Sequence, residues 1–216
     1  MNGKVKKGLG IGCLVVLLAV VAVAGGATWY AARINREYKE VARSEKILRA
    51  QVGPDAFRPP AELDVAADRL DVFLAVRDSL FEERMDLEAA ATTFARERER
   101  NRAGGLKGWW NLLGAGSDLA PVYAAYWETR NRALTAHRMG PEEYAWLYRV
   151  VYQRWLGRDP DDGRESGAPG PAELPPLVGE LTPASRDVLA PRRLRLEATY
   201  SPLLNPVELI FSGPED

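Results

Sequence analysis

Cysteine and histidine are almost missing from this 216-residue chain, which has one of each, Cys13 and His137. A single cysteine excludes an intrachain disulfide framework and any thiolate metal cluster. A single histidine excludes zinc sites built on two or three imidazoles. Neither charge sign is in excess: 29 Lys and Arg against 30 Asp and Glu leave a net charge of −1, so no general attraction for nucleic acid is expected. Period-2 runs of β-branched residues bounded by turns are lacking, as is any recurrence at 20–50 residues. There is one long hydrophobic run, which excludes a multi-span membrane protein.

Catalytic patterns are equally scarce. No Walker motif and no strand–G-x-G-x-x-G–helix unit occurs, and around Ser117 the sequence GAGSDL lacks the nucleophile elbow. A serine or cysteine triad would depend on His137, which lies at the end of a helical stripe with Tyr123, Tyr126 and Ala133 and reads as a packed or helix-end residue. Asp159, Asp161 and Asp162 before Gly163 miss the register of a calcium loop, because Arg158 and Pro160 would fall at its first and third positions. Glu82, Glu83 and Asp86 read as partners of Arg77 and Arg84 in surface ion pairs. The expectations are no catalytic residue, no metal ligand and no cofactor.

What is present begins at the N-terminus. Residues 1–7 carry Lys4, Lys6 and Lys7, and the 25 residues from Gly8 to Ala32 hold no charge. Twenty helical residues rise about 30 Å, the thickness of a bilayer's hydrocarbon core. Residues 8–30 are therefore expected to be a transmembrane anchor, with Trp29 and Tyr30 as an interfacial aromatic pair. The alternative is a signal peptide cleaved after Ala22-Val23-Ala24. Against that, the apolar run continues through Tyr30. Within it Gly8, Gly12, Ala19 and Gly26 form a stripe of small residues that would let two spans pack as a homodimer. The basic flank and apolar run have the form of an export signal, which places the anchor in the inner (cytoplasmic) membrane and the following domain in the periplasm or outside the cell.

Residues 31–156 read as a helical bundle. Ile34, Tyr38, Val41 and Leu48 share one helix face up to Gly53-Pro54. A long helix is expected from an N-cap at Asp64, with Leu70, Phe73, Leu74, Leu80, Phe81 and Met85 inward, running to the solvated end ARERERNRA. GGLKGWWNLLGAGSD is expected to be a loop. Its Trp109 and Trp110, with Leu112 and Leu113, would fold back as a lid over the bundle or dip into a membrane interface or partner groove. Asp118 is the expected cap of the next helix, and Gly140-Pro141 separates that helix from an antiparallel neighbour. In PEEYAWLYRVVYQRWLG, Tyr144, Leu147, Tyr148, Val151 and Trp155 form the main face, with Trp146 opposite and turned away from the core.

Eight of the 33 residues from Tyr123 to Trp155 are Tyr or Trp. Such side chains suit a core, a ligand cleft or a protein interface, and Trp127 and Trp146 are the candidate interaction residues beside Trp109 and Trp110. Residues 157–176, nine of them Gly or Pro, form a flexible linker. Residues 177–216 supply a helix starting at Thr182-Pro183, interrupted by Pro191, and an extended tail SPLLNPVELIF along the surface.

LDVFLAVRDSL, MGPEEYAWLYRVVYQRWL and LEATYSPLLNPVEL resemble segments of uncharacterised bacterial single-span envelope proteins, over about half the chain. The resemblance implies a span followed by helices and brings no activity. The fold class expected is all-α, a transmembrane helix followed by an ectodomain of four or five helices. The function expected is non-catalytic binding of an unknown protein partner at the membrane, the alternative being an exported module that binds a small or cell-wall ligand in an aromatic cleft.

Overall fold

The computed structural model describes residue 36 and residues 39–53, 57–60, 62–101, 106–159 and 177–209, with the backbone alone at 106–110, 112, 113, 206 and 209. The regular secondary structure among the described residues is helical, apart from an isolated parallel bridge between Leu63 and Leu181. No helix among them is long and apolar enough to cross a membrane. The expected anchor, residues 8–30, with its stripe of Gly8, Gly12, Ala19 and Gly26, lies outside the described residues, as does most of the 157–176 linker. Glu40–Asp216 form one compact unit.

In chain order the helices are α1 (39–52), α2 (Ala67–Ser79), α3 (Phe81–Arg100), α4 (Leu106–Ala136) and α5 (Pro141–Tyr148). A π-helix, Arg149–Trp155, continues α5, and α6 (Pro183–Leu189), a 3₁₀ turn (Ala190–Arg192), α7 (Arg193–Ala198) and α8 (Asn205–Leu209) complete the unit. The core sits where α2, α5, the π-helix and the C-terminal helices meet the C-terminal half of α4.

The stripe on α2 is inward at Leu70, Phe73 and Leu74, as its spacing predicts. The expected long helix is broken at Leu80, and after the break the register turns: Phe81 and Met85 are 61% and 55% exposed, while Arg84 and Leu87 face in. Asp64 is not the cap, because α2 starts after Ala66 without a side-chain cap. Asp64 instead accepts a hydrogen bond from Thr182 Oγ1 at 3.2 Å. Beside it, Ser185 Oγ receives the Val65 N–H at 2.8 Å and donates to the Leu63 carbonyl at 3.0 Å. Thr182 caps α6 as expected, accepting from the Ser185 N–H, with Pro183 at the first helical position.

GGLKGWWNLLGAGSD is no loop. From Leu106 it is the start of α4, so Asp118 lies inside a helix rather than at its cap. An interior proline costs about 3 kcal/mol relative to alanine. Here pairing with α3 carries α4 through Pro121. The segment is thus part of a helix that packs chiefly on α3.

At the other end of α4 the chain turns in a Schellman-type motif. The Met139 N–H bonds the Leu134 carbonyl at 3.0 Å, Met139 is buried, and Arg138 takes the left-handed conformation (φ 51°) that glycine favours. His137 sits exposed at this helix end. The backbone of α5 packs on α2 and α8 rather than lying along α4, which it meets through side chains such as Arg130 over Tyr144. The π-helix adds a residue to the turn, and Val150, Val151 and Tyr152 are buried in succession.

A left-handed non-glycine residue costs roughly 1–2 kcal/mol, part of which glycine gives back as unfolded-chain entropy. Arg138→Gly is therefore expected to raise the thermal midpoint by about 2–4 °C, the shift that about 1 kcal/mol produces in a chain of this size, read by circular dichroism.

Candidate functional site

The most polar place inside the domain is built by three segments far apart in sequence. On α2, Arg77 follows Leu70, Phe73 and Leu74 at i+7, i+4 and i+3, so helical register puts a guanidinium on the buried stripe. Arg84 stands seven residues on, also buried. From α5 and the π-helix come Tyr144, Tyr148 and Tyr152, all fully buried. The C-terminal chain supplies the Thr199 carbonyl at the end of α7 and, from α8, Asn205 and Glu208.

Arg77 Nη1 donates to Glu208 Oε1 at 3.0 Å and to the Tyr144 hydroxyl at 3.0 Å. Tyr144 donates to the other carboxylate oxygen, Oε2, at 2.9 Å. The Nη2 atoms of Arg77 and Arg84 both donate to the Thr199 carbonyl, a group left unpaired by the end of its helix. Rings of Phe73, Tyr148 and Tyr152 surround the Arg77 guanidinium at 5.6, 5.3 and 5.0 Å. Tyr148 donates to Asn205 Oδ1 at 3.1 Å, and the Tyr152 and Thr199 hydroxyls meet at 2.8 Å.

Burial alone pushes the Glu208 carboxyl up. The charges of Arg77 and Arg84, the Tyr144 hydrogen bond and the charge of Arg130 outweigh it and hold the group below the usual carboxylate range. Glu208 is therefore ionised at neutral pH. A carboxylate with a lowered pKa that already receives two donors is a weak base, poorly matched to proton abstraction. Burial, then the Glu208 charge, pushes the hydroxyls of Tyr126, Tyr144 and Tyr148 well up. The arrangement suits closure of the fold: Arg77 meets its carboxylate partner inside, and the C-terminal chain is the part that supplies it.

Arg77 and Arg84 are thus not the surface partners of Glu82, Glu83 and Asp86. Glu83 instead accepts from Thr129 at 3.0 Å, and Glu82 and Asp86 are exposed. The tail is not an extended surface strap either, since Glu208 anchors it as α8. Of the predicted interaction residues, Trp127 is 7% exposed, packed on Tyr123 and Tyr126 and covered by the Arg130 guanidinium at 3.8 Å. Trp146 does not turn outward: it is 8% exposed and closed off by Phe57 at 5.5 Å. Trp109 and Trp110 occupy the first two turns of α4, their side chains outside the described residues.

A shallow groove of about 210 Å³ lies between α1 and α4, lined by Ser44, Ile47, Glu128, Asn131, Arg132 and Thr135. No group of three or more His, Cys, Asp or Glu suited to a metal occurs among the described residues. No protein-family model, curated protein or solved structure matches the chain.

Two outcomes follow from the buried cluster. Tyr144→Phe leaves Glu208 Oε2 without its hydroxyl donor and is expected to cost about 1–3 kcal/mol in urea unfolding. The pH dependence has a definite sign. Because Glu208 titrates lower in the folded state, its contribution is full above the unfolded value of about 4.3 and is lost as pH falls below it. The raised tyrosines act oppositely: stability is full below about pH 10 and declines above it, as unfolded tyrosines ionise. Unfolding midpoints measured across pH check both limbs, and Glu208→Gln should flatten the acid one.

Proposed function

We propose that the chain is a membrane-anchored, non-catalytic helical protein of the cell envelope whose helical domain binds a protein partner. The observation that carries the reading is the charge-free run from Gly8 to Ala32, flanked by Lys4, Lys6 and Lys7 on one side and Arg33 on the other. The anchor lies in the inner membrane, and the domain faces the periplasm or the exterior.

Protein binding is favoured over an aromatic ligand cleft by the placement of the aromatics. Tyr126, Tyr144, Tyr148, Tyr152, Trp127 and Trp146 fill the core rather than line an opening. Among the described residues the large apolar side chains left at the surface are few and dispersed, with Phe81 and Met85 one turn apart on α3. A pair of this kind contributes contact area to a protein interface more readily than it encloses a small molecule.

Two measurements test the two halves. Unprocessed chain is expected in alkali-washed membranes and, after deletion of residues 1–32, in the supernatant. Full-length chain in the supernatant contradicts the anchor. A photo-crosslinking side chain at Phe81 or Met85 is expected to give one discrete protein adduct in cells, with none from the exposed Glu180. Absence of an adduct at both positions contradicts the partner.

A further inference from the structure

The outward ridge of α3 is complementary to itself. Leu87, and Glu83 through its hydrogen bond from Thr129, hold one side of this helix to α4. On the opposite side Glu82, Asp86, Ala89, Thr93, Arg96 and Arg100 are all exposed. At 3.6 residues per turn these six fall within about 40° of a single direction.

Their order along the ridge has a centre. Glu82 and Arg100 stand nine residues either side of Ala91, Asp86 and Arg96 five, and Ala89 and Thr93 two. A copy of the helix turned end over end about that level therefore sets acid against base at both ends. At the middle it sets small side chains on small ones, which lets two helix backbones approach closely.

The charges are available for such a pairing. Arg132 and Arg193 each pair with a glutamate of their own helix, Glu128 and Glu197. Glu82, Asp86 and Arg96 have no ionic partner among the described residues. Arg100 pairs with Glu97 of its own helix at 2.8 Å and keeps 65% of its side chain exposed. The helix dipole favours acid first and base last, but only within the terminal turns, and Asp86 and Arg96 lie inside those turns. At the edge of the ridge Phe81 and Met85 are 61% and 55% exposed. In the antiparallel arrangement they come level with residues 101 and 97 of the other copy, beside the aliphatic stems of its Arg96 and Arg100.

We propose that α3 forms the isologous interface of a homodimer, in which two copies of the chain pair antiparallel along this ridge. Glu82 meets Arg100 of the second copy and Asp86 meets its Arg96, and the two-fold axis repeats both pairs. The proposal rests on the reading that this surface binds protein, and it names the partner. The paired stretch is about 27 Å long. Exposed ion pairs fix its register and direction more than they add affinity, so the dimer is reversible.

The test uses the full-length chain in detergent micelles, with mass read by light scattering after gel filtration. The unaltered chain is expected to be a dimer. E82R/D86R and R96E/R100E, which change exposed side chains only, should each weaken it about a hundredfold and give monomers with unchanged circular dichroism. The fourfold exchange E82R/D86R/R96E/R100E restores opposite charges at every mirrored position and should dimerise as the unaltered chain does. Dimers that both double reversals leave intact overturn the α3 interface and assign self-association elsewhere, the spans included. A monomer in every form overturns it too, as does a fourfold exchange that fails to restore the dimer. A photo-adduct from Met85 with the mass of two chains supports the pairing. An adduct with a different protein overturns the second copy and spares the reading that this face binds protein, and no adduct from Phe81 or Met85 overturns both.

Discussion

The pairing of Arg77 with Glu208 is the constraint on which the rest of the domain depends. Each charge in isolation would be costly inside a protein, and removing one partner of such a pair typically costs about 3–5 kcal/mol. Arg77 is placed there by α2, whose stripe of Leu70, Phe73 and Leu74 leaves its side chain nowhere to go but inward. Glu208 arrives 131 residues later on α8. Until it does, α2 and the tyrosines of α5 and the π-helix enclose an unmatched positive charge. The C-terminal chain is therefore a structural member of the core, and Thr199 and Asn205 fasten it with further hydrogen bonds to Arg77, Arg84 and Tyr148.

This arrangement also explains why the core is aromatic. A guanidinium with several donors needs acceptors and polarisable faces, and tyrosine supplies both from one side chain. The density of Tyr and Trp between Tyr123 and Trp155 is in large part the lining of the space around Arg77 and Arg130.

Local signals that act through the backbone were legible in the sequence. Thr182-Pro183 starts α6, Pro141 with Glu142 and Glu143 starts α5, and the spacing of Leu70, Phe73 and Leu74 marks the inner face of α2. Readings that needed knowledge of the partner element went astray. Asp64 looks like a cap, but Thr182 takes its carboxylate; Phe81 and Met85 look inward until the break at Leu80 turns the register. Gly114 and Gly116 look like loop residues, yet both lie inside α4, which packs chiefly on α3. The cluster itself left a trace: Arg77 and Arg84 sit seven residues apart on an apolar stripe, and Glu208 is the one charge in LLNPVELIF. A charge in an apolar register is a sign of a buried partner that residue-by-residue polarity does not reveal.

A double-mutant cycle on Arg77→Met and Glu208→Leu measures the central interaction most directly, with urea unfolding as the readout. Each single change should be severely destabilising, and the double variant should lose far less than the sum, giving a coupling near the upper end of the ~0.5–3 kcal/mol found for contacting residues. Additive losses would mean that the two side chains do not depend on one another, and the account of how the C-terminal chain closes the core would fail.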